Sequence, residues 1–330
     1  MDINWGLLGH EWVVRLLKEQ VTSGNFRHAY LFTGPDSVGR RTLALRLAQA
    51  LNCTNPPASG EYCGQCRACR AFANAQHPDL LIIEVQEGDR EIKIDAMREL
   101  SRSLSRTPLE ARYQIGLLLD FQLASEEAAN ALLKTLEEPN PSVVLCLTAP
   151  DADSLAETIA SRCEILRLRP LGVTELAKAL TAKYSIREES ATLLGSLSGG
   201  CPGLALLWHQ QPELLQKRSE WLSSAVQLLY ANKVQRFAFA EKASKDRAGL
   251  RELLLVWLSL WRDLVIRTSH ATTPVSNSDS EDALEKLSRE LTPAVAQGAL
   301  QAIERSLSRL STNVNTRLAL EGLLLELPTL

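Results

Sequence analysis

Between residues 28 and 169, five short apolar runs alternate with stretches of helical periodicity, and after Pro170 the strand signal disappears. The runs are Ala29 to Thr33, Leu80 to Val85, Ile115 to Asp120, Val143 to Thr148 and Ile165 to Leu168. Runs that are apolar at nearly every position suit strands buried on both faces, hence a parallel sheet covered by helices. Helices are predicted between them at Arg41 to Leu51 and Ser125 to Glu138. The second opens with a serine cap and two acids in its first turn, and stops at Pro139. This half reads as α/β.

Beyond Arg169-Pro170-Leu171 the chain reads as helix. Thr174 to Tyr184 and Glu188 to Leu197 form two short helices, closed by Ser198-Gly199-Gly200-Cys201-Pro202-Gly203. Strong helical segments follow at 213–231, 249–268 and 294–310, the last introduced by Thr292-Pro293, a capping hydroxyl followed by proline at the first helical position. The stretch 268–282, rich in Ser, Thr, Asp and Pro, predicts a mobile loop. A chain of 330 residues exceeds what one hydrophobic core usually supports. The expected fold class is α/β plus all-α in three parts: 1–170, 171–208 and 209–330.

The formal net charge of −3 denies the chain an overall basic footprint for nucleic acid. DNA contact would need a local patch or partner chains. With 45% apolar and 23% charged residues, wholesale disorder and low-complexity architecture are excluded. The longest mostly apolar run, Leu253 to Trp261, is too short to span a bilayer. The N-terminus lacks the basic start and apolar core of a signal peptide, so a cytoplasmic chain with no membrane partner is expected.

The strand Tyr30 to Thr33 runs directly into Gly34-Pro35-Asp36-Ser37-Val38-Gly39-Arg40-Arg41-Thr42 and then a helix. Strand, glycine loop and helix N-terminus in that order make a phosphate-binding loop, whose backbone N–H groups cradle phosphate. Arg40 stands where a lysine should reach the terminal phosphates, and Arg41 where a small hydroxyl should hold magnesium. Arginine can pair with phosphate but is bulkier and forked, and it cannot supply the metal ligand. Asp120 ends a strand in the manner of a magnesium-holding carboxylate. The next position, where a hydrolytic enzyme places a water-activating glutamate, is Phe121. The bland alternative is a simple turn with Asp120 ending a core strand. The strand before and the helix after favour a phosphate-loop architecture stripped of its hydrolytic chemistry.

Seven cysteines, an odd number with four clustered at Cys53, Cys63, Cys66 and Cys69, argue for a metal site and not a disulfide framework. Four thiolates within that span can close a tetrahedral zinc site and fold a segment too small for its own core. Iron–sulfur proteins also use such runs, but there a further Cys-Pro follows, whereas Arg70-Ala71-Phe72-Ala73 follows here. A redox dithiol would need only two of the four. Structural zinc is the leading reading, as a staple with no open position for substrate.

His28-Ala29-Tyr30-Leu31-Phe32, the four-cysteine insertion, His77-Pro78-Asp79, the string Ala129-Asn130-Ala131-Leu132-Leu133-Lys134-Thr135-Leu136-Glu137-Glu138-Pro139 and Ser161-Arg162-Cys163 together resemble the bacterial DNA polymerase III clamp loaders. These are AAA+ proteins related to eukaryotic replication factor C, and the resemblance covers nearly the whole chain. It implies an AAA+ phosphate-loop domain with a zinc module at 53–69, a helical lid at 171–208 and a helical collar at 209–330. Of the subunit types, the sequence most resembles delta prime. The ATP-hydrolysing gamma/tau type shares most of the strings but has Lys and Ser/Thr in the loop, an Asp-Glu pair and a sensor arginine in the lid. Here those places read Arg40, Arg41, Asp120-Phe121 and Gly203. The chain is also expected to lack the extended tail of tau.

The resemblance implies a hetero-pentameric ring with gamma/tau and delta subunits, held by its collar, that loads the sliding clamp onto primed DNA. This chain would be its fixed, non-hydrolysing member, not an enzyme alone but part of the DNA polymerase III holoenzyme. Arg162 would enter a neighbouring subunit's ATP site as an arginine finger, stabilising charge on the transferring phosphate. Gly34, Gly39, Arg40, Thr42 and Asp120 would form a degenerate nucleotide site, with ATP unbound or not hydrolysed.

Two rivals stand beside this reading. One is a gamma/tau-type motor in which Arg40 does the lysine's work. The other is an unrelated zinc-containing DNA-binding or redox protein, which leaves 129–139 and Arg162 unexplained. Arg98, Arg102 and Arg106, at i, i+4 and i+8, are expected on one helix face, either a solvated basic face or a DNA phosphate rail. Thr148 is expected to be structural, Leu132, Leu133 and Leu136 to be core, and His77 to belong to a turn and not to a metal site.

Overall fold

A computed structural model describes residues 4–86, 89–310 and 314–330. It divides into two compact units: Met1–Gly172 with Cys201–Gly203, and Val173–Gly200 with Leu204–Leu330. One break falls after Gly172, and the helices on both sides of residue 208 fall within the second unit.

The first unit runs α1 (Glu11–Ser23), β1 (Ala29–Thr33), α2 (Arg40–Asn52), α3 (Arg67–Ala73), β2 (Leu80–Ile83), α4 (Ile94–Leu104), β3 (Gln114–Leu118), α5 (Glu126–Glu137), β4 (Val143–Ala149), α6 (Glu157–Ala160) and β5 (Glu164–Arg167). Its five strands form one parallel sheet in the order β2-β3-β4-β1-β5. β1, β3 and β4 are buried at every position, as their apolar runs require. β2 and β5 lie at the edges and are only partly buried, and Ile165 is 37% exposed.

Alternate residues of the inner strands feed two cores. Tyr30, Phe32, Val144 and Cys146 pack on one face with Leu17, Leu43, Leu47 and Phe72. Leu31, Leu145 and Leu147 pack on the other with Met97, Leu100, Leu132 and Leu136. Leu132 and Leu136 are therefore core, with Leu133 partly buried beside them. The carboxyl ends of β1, β3 and β4 converge where ligands gather in open parallel sheets. Gly34 follows β1, Asp120 lies two residues past β3, and Pro150 follows β4.

The second unit is wholly helical: α7 (Val173–Tyr184), α8 (Glu188–Leu197), most of α9 (Pro202–Gln210), α10 (Pro212–Leu229), α11 (Lys233–Ala243), α12 (Arg247–Thr268), α13 (Glu281–Glu290), α14 (Pro293–Leu310) and α15 (Thr316–Glu326). Its core gathers around Trp257, Trp261, Leu264, Ile303 and Leu324. Part of the stretch expected as a mobile loop, 268–282, is tied down. Buried Asp263 accepts from the backbone N–H groups of Ser276 (3.0 Å) and Asn277 (2.7 Å), and Arg218 donates to Asp279 at 2.7 Å. The Ser196 hydroxyl of α8 bonds the Val275 and Ser276 carbonyls within this unit. Arg236, also buried, donates to the carbonyls of Leu228, Leu324, Leu327 and Pro328, so each of its three side-chain nitrogens has a partner. Among the described residues no helix is long and apolar enough to cross a membrane.

Candidate functional site

The phosphate loop is shaped by its glycines. Gly34 has φ +144°, and a side chain there would meet the Leu168 carbonyl oxygen at 2.4 Å. Gly39 has φ +118° and leads into α2. No acid occupies the first turn of α2, which instead begins with Arg40 and Arg41, cations set against the positive end of the helix.

Arg40 is 8% exposed, and its Nη2 donates to Asp36 Oδ1 (2.6 Å) and Asp120 Oδ1 (3.2 Å). Its buried Nη1 has no hydrogen-bond partner among the described residues. The guanidinium thus bridges an acid of the loop and the acid past β3. Both acids are about half exposed, so the pairing is a geometric plug more than a large electrostatic stabilisation.

A cleft of about 400 Å3 brings Gly39, Arg40, Thr42 and Asp120 together with Ser37, Glu84, Thr148 and Gly203. Gly34 sits at the base of the loop, outside that lining. Arg41 also lines the cleft, its guanidinium 4.0 Å from Glu84. Asp120 does not end the strand as expected. β3 stops at Leu118, and Asp120 takes a left-handed conformation (φ 47°) that aspartate tolerates. The Thr148 hydroxyl accepts its N–H at 2.8 Å, a structural role as expected. Phe121 is buried in the core. Gly203 donates its N–H to the Ser37 carbonyl (2.9 Å), and a Cβ there would come within 2.7 Å of that oxygen. The position aligned with a sensor arginine therefore has no room for a side chain.

Cys53, Cys63, Cys66 and Cys69 place their sulfur atoms within 4.8 Å of one another. The N–H groups of Cys63, Cys66 and Cys69 donate to the sulfurs of Cys53 (3.2 Å), Cys63 (3.2 Å) and Cys66 (3.4 Å), an arrangement that favours thiolates. Burial alone would raise the Cys66 thiol, but N–H donors from Cys69 and Thr54 bring it down to about 6. Cys63 is held low by the Cys66 N–H, while burial raises Cys53 and Cys69. The Cys63 and Cys69 sulfurs lie 3.9 Å apart. Tetrahedral metal–sulfur bonds of about 2.3 Å require about 3.8 Å, so the four residues fit a metal ion. Trp5 Nε1 on the Gly60 carbonyl (3.2 Å) and Gln49 Nε2 on the Cys69 carbonyl (2.7 Å) anchor the module. Cys146, Cys163 and Cys201 lie apart, raised by burial to about 12, 12 and 11.

His77 belongs to a turn, as expected. Its ring stacks on Phe72 with centroids 4.1 Å apart, and its Nδ1 accepts from the Asp79 N–H at 3.1 Å. Asp79 in turn accepts backbone N–H groups from Leu109, Glu110 and Ala111 at 2.7–2.8 Å.

Arg162 follows α6, with its side chain 36% exposed. Its Nη1 donates to the Thr158 carbonyl and its Nη2 to Glu137 Oε1, both at 2.7 Å. Neither Glu137 nor Asp36 stood out as a site residue from sequence. Asp36 was findable, because it lies four residues before Arg40.

Arg98 and Arg102 of α4 line a second groove, of about 420 Å3, with Lys134, Ser101 and Thr135. Arg106 departs from the expected shared face, because α4 ends at Leu104. Thr107 precedes Pro108, which disfavours a helical residue there.

Residues 9–172 match a family described as DNA polymerase III, delta subunit, and residues 212–329 one described as DNA polymerase III, delta subunit, C terminal. DNA polymerase III subunit delta' of Pseudomonas aeruginosa is 30% identical over 328 residues, 96% of each chain. Subunit delta' of Bacillus subtilis is 27% identical over 334 residues, 96% of this chain and 95% of that protein. Subunit gamma of Buchnera aphidicola is 32% identical over 184 residues, which is 56% of this chain and 49% of that protein. With both halves matched and delta' relatives aligned from end to end, the chain belongs to the delta' family of DNA polymerase III clamp-loader subunits.

Proposed function

We propose that this chain is the non-hydrolysing subunit of a clamp-loader ring, and that it serves a neighbour's ATP chemistry and not its own. The observation that carries the reading is the position of Arg40, bonded to both Asp36 and Asp120 inside the phosphate loop. A nucleotide would have to displace those bonds without gaining a magnesium ligand from Arg41 or a general base from Phe121. Gly203, packed on Ser37, leaves no place for a cation from the lid.

In the ring, gamma/tau and delta subunits would complete a hetero-pentamer through the helical collars, and the assembly would load a sliding clamp onto primed DNA in the cytoplasm. Arg162, exposed beside β5, would act in trans as the arginine finger. A guanidinium delivered across an interface stabilises the charge that builds on the transferring phosphoryl group. Cys53, Cys63, Cys66 and Cys69 would hold a structural zinc ion, which folds the insertion and supplies no chemistry to substrate. Asp120, Arg40, Gly34, Gly39 and Thr42 would remain as the outline of a nucleotide site.

The test is Arg162→Ala in the reconstituted complex. The reading expects lower ATP turnover with assembly intact, and unchanged turnover would remove the finger assignment. A gamma/tau-type motor role for this chain predicts instead magnesium-dependent nucleotide binding by the isolated protein.

A further inference from the structure

Glu137 is the last residue of α5 and is followed by a second acid, Glu138. Two carboxylates at the negative end of a helix oppose its dipole. A local rule broken in this way calls for a compensating partner or a function. The partner is Arg162, whose Nη2 donates to Glu137 Oε1 at 2.7 Å. A second anchor comes from α6, where the Thr158 carbonyl accepts from Nη1 at 2.7 Å. The Arg162 backbone is fixed as well, by its N–H on the Ile159 carbonyl at 3.1 Å. The other guanidinium N–H groups make no hydrogen bond among the described residues, and the side chain is 36% exposed. One edge of the fork is therefore held while the other is presented to solvent.

We propose that Glu137 is a positioning residue for Arg162, fixing the guanidinium in a reactive orientation before a neighbouring subunit arrives. This inference rests on the reading in which Arg162 reaches a neighbour's ATP. A long arginine side chain loses much rotamer freedom when it is immobilised, and an anchor within its own subunit removes that loss from the catalytic step. Glu137 also offsets part of the positive charge. At 36% and 52% exposure, however, solvent screens that attraction, while the directional constraint of the bond persists. Orientation therefore outweighs neutralisation.

The reconstituted clamp loader tests this with Glu137→Ala, Glu137→Gln, Arg162→Ala and the double variant, reading kcat and KM for ATP together with assembly. Glu137→Ala is expected to lower kcat at least about twofold with KM and assembly unchanged. Glu137→Gln keeps an oxygen acceptor without the charge and is expected to retain most of kcat. Adding Glu137→Ala to Arg162→Ala is expected to have no further effect. Turnover in Glu137→Ala equal to or above the unsubstituted complex would overturn the proposal, as would an undiminished Glu137→Ala effect in the Arg162→Ala background. If Arg162→Ala lowers turnover and Glu137→Ala does not, only the positioning role fails. If Arg162→Ala leaves turnover unchanged, the finger reading fails and the positioning role falls with it.

Discussion

Arg40 Nη2 donates across the cleft to Asp120 Oδ1 at 3.2 Å, linking the residue in the phosphate-loop lysine position to the acid past β3 that would face magnesium. Asp36 accepts from the same nitrogen at 2.6 Å, while Nη1 has no hydrogen-bond partner among the described residues. The strand, the glycines and the helix frame this ion-paired cluster.

Gly203 bears on the same loop. A Cβ would stand 2.7 Å from the Ser37 carbonyl oxygen, a backbone atom that cannot swing aside. Gly203→Ala is expected to cost about 1–3 kcal/mol, the usual penalty for overpacking, read as a lower urea midpoint at unchanged slope. An unchanged midpoint would mean that the loop yields freely.

Metal analysis of the purified chain is expected to find one zinc ion per molecule. Stripping it with a strong chelator should expose the 54–66 region to limited proteolysis while most far-UV dichroism remains, because the sheet has its own cores. Collapse of the whole helical signal would contradict a local staple.

Asp79 supplies a pH signature. Burial would raise its carboxyl, but the N–H groups of Glu110, Leu109 and Ala111 outweigh burial and hold it below the ordinary carboxylate value. A group lowered by folding stabilises the protein above its unfolded value, about 4, and that contribution is lost as pH falls through the folded value. Asp79→Asn should cost about 1–3 kcal/mol at neutral pH, and the deficit should shrink toward pH 3 in urea titrations. A deficit constant from pH 7 to 3 would contradict the assignment.

What was legible in the sequence follows from how local each signal is. β1 could be read to the residue because four apolar positions and a β-branched threonine are bounded by His28 and Gly34. Three strands ended earlier than their runs, β2 at Ile83, β3 at Leu118 and β5 at Arg167, because Val85, Asp120 and Leu168 extend an apolar or acidic run past the paired positions. α3 escaped notice, since seven residues following Cys66 and containing Cys69 carry little periodicity and the cap is the Cys66 sulfur itself. The four thiols and the loop residues are close in sequence and were legible as groups. Glu137 and Arg162 are 25 residues apart, and only the packing of α5 beside α6 brings them together. The pinning of 276–279 by Asp263 and Arg218 was likewise invisible, because a polar segment reads as loose until its buried partners are known.

Whether the phosphate loop takes nucleotide is tested most directly by calorimetric titration of the purified chain with Mg-ATP to millimolar concentration. The Arg40–Asp120 closure predicts no saturable heat. A saturable, magnesium-dependent binding isotherm would contradict it and return the chain to the class of motors.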